Sequence, residues 1–372
     1  MISDKLSLNT FDAVIKDNYV WFSNQSFNGL FRIHIKTHVT EFVQFFANES
    51  LLTQQLHFRC YLDENRIIFL PWASNKIQVY DIASGNISTL VLDCYKAHIC
   101  GVIESNGSLY LFPFFRSGHL YKMDLSTSKI SKCEAFNYSV NEWMSDEHSI
   151  LSYNYVSHEN QVIFAVSDTN EIGAWDLSDD RLVKKHINSP RISILSSCNG
   201  RRFVCSATSS KLSEINMVSH SENLICGKCN LLKNNKSTVP YTWYRIDECN
   251  GKLFVFPWNA DGIYEIVNSK LEQRLSVSTF DFSDTLSEYP IFMGWVTVGT
   301  EIWLLPCRLR TLLICDSNMN VIEGIHLYCE DDNVISAINN ELIKQRIKNS
   351  GNILFESPEL GLEDFMNAVT TE

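Results

Sequence analysis

The stretch NRIIFLPWASNKIQVYDIASGNISTLVL, residues 65–92, decides the fold. Its runs RIIFLP and IQVYDI are short, aromatic and β-branched, and neither carries a helical period. A Pro-Trp turn at Pro71 and Trp72 separates them, and Tyr80-Asp81 closes the second. A turn at Ser84-Gly85 follows, and the apolar run ISTLVL ends the unit. Proline cannot donate to a sheet ladder, so the first run must end or bulge at Pro71.

Variants of this unit recur along the chain. The turn residue Asn65 has counterparts at Asn18, Gly107, Asn160, Gly200, Gly251 and Thr300, at steps of 40 to 53 residues. A spacing of about 47 residues is that of one four-stranded propeller blade. The marked strands read YVWFSNQ, RIIFLPW, SLYLFPF, QVIFAVS, RRFVCSA, KLFVFPW and EIWLLPC. Each is followed by a further strand, LFRIHI, IQVYDI, LYKMDL, IGAWDL, LSEINM, GIYEIV or LLICDS. A leading strand precedes each mark, as in FDAVIKD, HFRCYLD and YTWYRID. A weaker fourth strand, such as EFVQFF or VIEGIHL, suits an outer edge that buries less. Four strands in each of seven units predict an all-β chain, a seven-bladed β-propeller over residues 10–328.

Two positions in the repeat carry a physical role. Pro71, Pro113, Pro257 and Pro306 fall at the same place and should terminate the second strand. Asp81, Asp124, Asp176, Asn216, Glu265 and Asp316 share another, with His34 as the exception, and turn residues follow them. A short carboxylate or amide there is expected to cap the turn backbone rather than act in catalysis. The longest connections, 47–55, 137–149, 227–240 and 278–290, all precede leading strands. Every unit owns four strands, so no exchange of strands between the termini is expected unless Ile353–Phe355 supplies one.

Past Tyr328 the period changes. Glu330-Asp331-Asp332 offers an N-cap, and Val334, Ile335, Ile338, Leu342, Ile343 and Ile347 follow at helical spacing. This predicts a helix over 333–348 within a C-terminal tail, 329–372, packed on the propeller. A short strand at 353–355 and a second helix at 360–369 are expected beyond Gly351-Asn352.

Composition narrows the partners. Acidic residues number 43 against 31 basic, for a net charge of −12, which argues against a nucleic-acid binder. No apolar run approaches the roughly 20 residues needed to span a bilayer, so no membrane segment is expected. The start, MISDKLSLNTFDAV, lacks the pattern of a secretory signal. Twelve cysteines diluted through 372 residues then read as free thiols of a cytoplasmic protein. Cys226 and Cys229 have the spacing of half a zinc site, but no second such pair exists. Neither phosphate-binding loops nor nucleophile elbows appear, and neither metal nor cofactor is expected. Asp146-Glu147-His148 is a loop cluster that solvation explains.

At Val79-Tyr80-Asp81 and Ala174-Trp175-Asp176 the third strands resemble the Trp-Asp ending of WD40 repeats. The Gly-His pair of those repeats is missing, as is the double glycine of kelch repeats. The chain thus resembles a divergent propeller of the broad WD40-like and kelch-like kind, which implies a rigid interaction platform. In such folds the turns between second and third strands ring one mouth of the channel. Here those turns carry Trp72, Phe114, Phe115, Arg116, Trp258, Arg308 and Arg310. Aromatics beside arginines suit a protein or peptide partner, while packing between blades is the competing role of Trp72, Phe114 and Trp258. Trp72, Phe114, Arg116, Trp258, Arg308 and Arg310 are the candidate binding residues. The alternative is a carbohydrate-active or lyase-type enzyme with its acid and base at the channel mouth.

Overall fold

Tight hairpins set the unit of the fold. Lys16 pairs with Tyr19 across Asp17-Asn18, Ser105 with Ser108 across Asn106-Gly107, and Cys249 with Lys252 across Asn250-Gly251. All six turn residues have positive φ, between 50° and 78°. Two such residues in sequence make the turn whose twist matches that of the strands it joins.

The computed structural model describes residues 5–350 except 144–149, 151–154, 159, 167–168, 187–191, 199–200, 207–208, 217–221, 227–228, 233–240, 281 and 283–287. It is a seven-bladed β-propeller of four-stranded antiparallel sheets, at 13–44, 57–91, 99–132, 155–186, 192–226, 243–276 and 295–326. Strand order within each sheet follows chain order. The leading strands line the central channel, and the second and third strands are the most buried, as in Ile67–Leu70 and Leu312–Cys315. The fourth strands face solvent; Val321 and Ile322 are 41% and 59% exposed.

The second strands Arg66–Pro71, Ser108–Pro113 and Lys252–Pro257 end on their prolines, and Glu301–Leu304 stops short of Pro306. Opposite each terminal proline of blades 2, 3 and 6 the inner strand bulges: the ladder jumps from His57 to Arg59, from Ile99 to Gly101 and from Trp243 to Arg245. An extra residue in one strand re-aims the side chains around it. The residues so displaced are Phe58, Cys100 and Tyr244.

The turn caps hold at four of the expected positions. Asp81 accepts from Ser84 N at 2.7 Å, Asp124 from Thr127 N at 2.7 Å, Asp176 from Ser178 N at 2.9 Å and Asp316 from Asn320 N at 2.9 Å. Hydroxyl and amide donors from Ser126 and Thr127 hold the Asp124 carboxyl at a pKa of about 2. His34 is no exception: its Nδ1 accepts from Thr37 N at 3.2 Å. Glu265 differs. Its strand runs on to Val267 and turns at Asn268-Ser269, both with positive φ, so Glu265 lies in mid-strand and accepts from Arg274 Nε at 2.7 Å.

Two elements depart from the sequence reading. The connection after blade 3 contains a helix, α1, at Glu134–Trp143, where a long loop from residue 137 was expected. Phe136, Asn137 and Val140 are its buried residues, and the Phe136 ring lies 5.1 Å from Trp175 and 5.8 Å from both Phe112 and Phe164. Phe136, Val140 and Trp143 stand at helical spacing, a signal that the sequence reading passed over, and blades 3 and 4 supply the packing. At the ring closure, a short strand at Leu6–Ser7 pairs with Tyr328–Cys329, and Leu8 N donates to Leu327 O at 2.9 Å. Among the described residues no blade exchanges a strand; the segment at Leu6–Ser7 is laid against the end of blade 7 as a clasp.

The second helix, α2, spans Asp332–Ser350. Asp331 caps it, accepting from Asn333 N at 2.9 Å and Val334 N at 3.2 Å. Val334 and Ile338 join a buried cluster with Leu8, Ile33, Val296 and Ile314, whereas Leu342 is 41% exposed. The strand and helix expected after residue 351 lie outside the described residues.

Candidate functional site

Each terminal proline throws the next residue over the channel mouth, and a backbone bond fixes it there. Trp72 N donates to Leu56 O at 2.9 Å, Phe114 N to His98 O at 2.8 Å and Trp258 N to Thr242 O at 2.9 Å. The acceptor in every case lies just before or at the start of an inner strand, so the turn of each blade is tied to its own entry segment. The three aromatic side chains therefore occupy equivalent positions around the ring.

Together with the bulged Phe58 and Tyr244 they form an apolar cup of about 240 Å³. Trp72 stacks on Phe58 at 4.6 Å and meets Phe114 edge-on at 5.1 Å, and Phe114 meets Phe115 at 4.8 Å. On the far side Trp258 lies edge-on to Tyr241 and Tyr244, at 5.3 and 5.9 Å. Tyr289, Pro290 and Met293 from the entry to blade 7 complete the wall, and exposed Glu288 stands at the rim. The Tyr289 hydroxyl donates to Gln55 Oε1 at 2.6 Å, and burial pushes its pKa up to about 12. Such rings both pack between blades and line the cup. Phe114 and Trp258 are 8% and 3% exposed, while Trp72 and Phe115 remain partly open to solvent.

The arginines stand apart from this cup. Arg308 is 2% exposed; its Nη1 donates to Asn259 Oδ1 at 3.0 Å and its guanidinium lies 5.6 Å from the Phe282 ring. Burial lowers its pKa. It thus holds the turn after Trp258 in place and presents no charge to the surface. Arg116 is half-buried, with a 3.5 Å contact to Asn141 O on α1, and Arg310 is exposed on the turn of blade 7. Sequence position alone could not separate them, because a turn residue points outward or back beneath the turn depending on its neighbours.

Beneath the cup lies a site that the sequence reading passed over. Inner strands of blades 2 to 7, with Asp12 just before the inner strand of blade 1, enclose a polar cavity of about 460 Å³ that includes Arg59, Tyr155, Ser196, Arg245, Asp247 and Trp295. Arg59 donates through Nε to Cys100 O at 3.2 Å and through Nη2 to the Tyr244 hydroxyl at 3.0 Å. Asp12 accepts from Cys60 N at 3.1 Å, and burial raises its pKa against the pull of the Arg59 charge. Arg245 pairs with Asp247 at 2.6 Å and lies 5.0 Å from the Trp295 ring, which stacks on Phe256 at 3.7 Å. The signal was present: HFRCYLD and YTWYRID each place an arginine inside a strand whose neighbours are apolar, where a buried charge needs a reason.

Cys226 and Cys229 are half-buried thiols, and burial pushes Cys229 up to about 12. Among the described residues no group of three or more His, Cys, Asp or Glu side chains is gathered as for a metal ion. Asp146-Glu147-His148 lies outside the described residues.

No protein-family model matches the sequence, and no curated protein is similar to it in sequence. Solved structures do share its fold. Virginiamycin B lyase from Staphylococcus aureus is 16% identical with a TM-score of 0.58, over 82% of this chain and 95% of that one. The WD40 repeats of RRP9 are 8% identical with a TM-score of 0.52, over 81% and 89%. A chain of the mitotic checkpoint complex is 10% identical with a TM-score of 0.50, over 87% and 91%. At these identities the likeness is one of fold: the chain shares the β-propeller architecture of these proteins.

Proposed function

We propose that the protein is an interaction platform that binds a protein or peptide by taking one apolar side chain of the partner into the aromatic cup. The observation that carries this reading is the convergence of Phe58, Trp72, Phe114, Phe115, Tyr244 and Trp258 from three blades on one depression. Its volume of about 240 Å³ is the room of a single large side chain, and a buried aromatic anchor ringed by weaker contacts is the usual anatomy of a hot spot. The rings of Trp72 and Phe115 that stay partly open give the anchor its first contact. Rigid blades beneath them reduce the ordering cost of binding. Solved structures with this fold include WD40 repeats and a member of a multiprotein complex, which agrees with a platform role. We place this function in the cytoplasm, where the buried thiols of Cys60, Cys100, Cys205 and Cys307 act as small hydrophobes.

Selection from a random peptide library tests it. Enrichment of peptides with a shared aromatic or aliphatic anchor is expected, with binding lost in the Trp72→Ser, Phe115→Ser double variant. Selected peptides that bind wild type and variant equally, or a selection without enrichment, would overturn the reading.

A further inference from the structure

We propose that the central channel holds a small organic carboxylate, gripped by Arg59 with Arg245 beside it. The cavity there, about 460 Å³, is separate from the aromatic cup and nearly twice its size. Arg59 is 9% exposed, and it donates to two neutral oxygens, Cys100 O and the Tyr244 hydroxyl. Among the described residues no carboxylate stands within ion-pair distance of it: Asp12 is near enough to feel its charge, but its Oδ2 is turned to Cys60 N. A buried cation without a close counter-charge is costly to keep. Its remaining N–H groups form the planar fork that a carboxylate accepts in two parallel bonds.

Register supports the same conclusion. Arg59 pairs with Leu70 and Arg245 with Phe256, each the first ladder pair after the bulge opposite a terminal proline. The two guanidiniums thus come from equivalent positions of blades 2 and 6. Arg245 is already neutralised by Asp247, which leaves Arg59 as the principal grip. The Trp295 ring and the apolar inner strands give a carbon skeleton a wall to lie against, which a bare tetrahedral oxyanion would not use. Burial holds Asp12 above its usual pKa, so a bound anion beside it favours the protonated form, which can donate to the ligand. At the hairpin face the cavity reaches exposed Ser157, which gives the ligand a way in.

Isothermal titration with succinate, propionate, sulfate, phosphate and butylamine tests the site in the full-length protein. Saturable binding of a carboxylate is expected, weaker by about tenfold or more in Arg59→Met, the loss of charge-assisted hydrogen bonds. Asp12→Asn should bind more tightly, and Trp72→Ser should leave binding unchanged because the cup is a different site. Should Arg59→Met fail to fold, Arg245→Met, whose side chain is 34% exposed, is expected to weaken binding too. No saturable binding of either carboxylate would overturn the proposal. So would sulfate or phosphate binding as tightly as the carboxylates, equal affinity in Arg245→Met and wild type, or an Asp12→Asn variant that binds no more tightly.

Discussion

Arg59 on the inner strand of blade 2 donates a hydrogen bond of 3.0 Å to the hydroxyl of Tyr244 on the inner strand of blade 6, across the central channel. Arg59 lines the polar cavity and Tyr244 lines the aromatic cup, so this bond lies at the boundary between the two. Three blades lie between the pair in sequence order; Arg59 follows one bulge opposite a terminal proline, and Tyr244 is the bulged residue of another. The channel is thus a polar chamber and an apolar cup on either side of one cross-strut.

Removing the strut should therefore cost more than removing an ordinary hydroxyl. Tyr244 is 1% exposed, and Tyr244→Phe leaves a buried guanidinium N–H without its acceptor. The expected loss is about 1–3 kcal/mol. Tyr61→Phe is the control: that hydroxyl donates to Glu104 Oε2 at the surface, and its removal should shift stability by less than about 0.5 kcal/mol. Urea unfolding of the two variants measures the difference; equal losses would remove the strut's structural role.

Gly101 shows how tightly the inner strands are packed. A Cβ built there would stand 2.5 Å from the Tyr155 ring of the next blade. That ring is stacked on Phe112 at 4.5 Å, and its hydroxyl donates to Pro113 O at 2.5 Å, so it has little freedom to move. Gly101→Ala should cost about 1–3 kcal/mol by overpacking. Adding Tyr155→Val removes the obstacle, so the alanine should cost far less in that background. A double-mutant cycle in chemical denaturation reads the coupling.

His57 should give the protein an acid-sensitive limb. The ring is 2% exposed, packed 4.5 Å from Phe46 and 5.5 Å from Phe69, with Ser23 Oγ at 2.9 Å from Nδ1. Burial lowers its pKa from 6.5 to about 3. A histidine kept neutral in the fold takes up its proton more readily when unfolded. Its contribution is therefore complete above pH 6.5 and declines as pH falls towards 3. The span corresponds to at most about 5 kcal/mol, at 1.36 kcal/mol for each unit. Stability measured from pH 7 to pH 4 should fall in wild type and fall less steeply in His57→Gln.

The repeat was legible because it is written in local chemistry. Strand runs, terminal prolines and the turn caps at Asp81, Asp124, Asp176 and Asp316 each act within a few residues of where they stand. The cap at His34 was missed because an imidazole nitrogen does the work of a carboxylate there. Bulges were not legible: they arise from the pairing of two strands, and the same shift occurs opposite Pro71, Pro257 and, in blade 5, Ser206. For the same reason Trp72 was foreseeable at the mouth, whereas the burial of Arg308 under Asn259 and Trp258 was not. The strut needed residues 185 positions apart to meet, which no local pattern encodes.

Ring closure gives the last prediction. Leu6–Ser7 pairs with Tyr328–Cys329, Leu8 is 1% exposed, and Thr10 N donates to Pro306 O at 2.7 Å, so residues 6–10 bridge blades 1 and 7. Val334 and Ile338 of α2 enter the cluster that holds Leu8. Clasp and helix therefore share one patch of core and should fail together. Leu8→Ala and Ile338→Ala should each cost about 2–5 kcal/mol, with a combined cost below the sum because each opens the cavity that the other would leave. Removal of 330–372 should lower the unfolding midpoint of the propeller itself, contrary to a tail that serves only to dock on another chain. The salt bridge from Lys5 to Glu330 lies at the surface, both side chains more than half exposed, so raising the ionic strength should move that midpoint little. Thermal melts of the two point variants, their combination and the truncated chain decide the matter: a truncated chain that melts with the wild type would show that α2 contributes nothing to the ring.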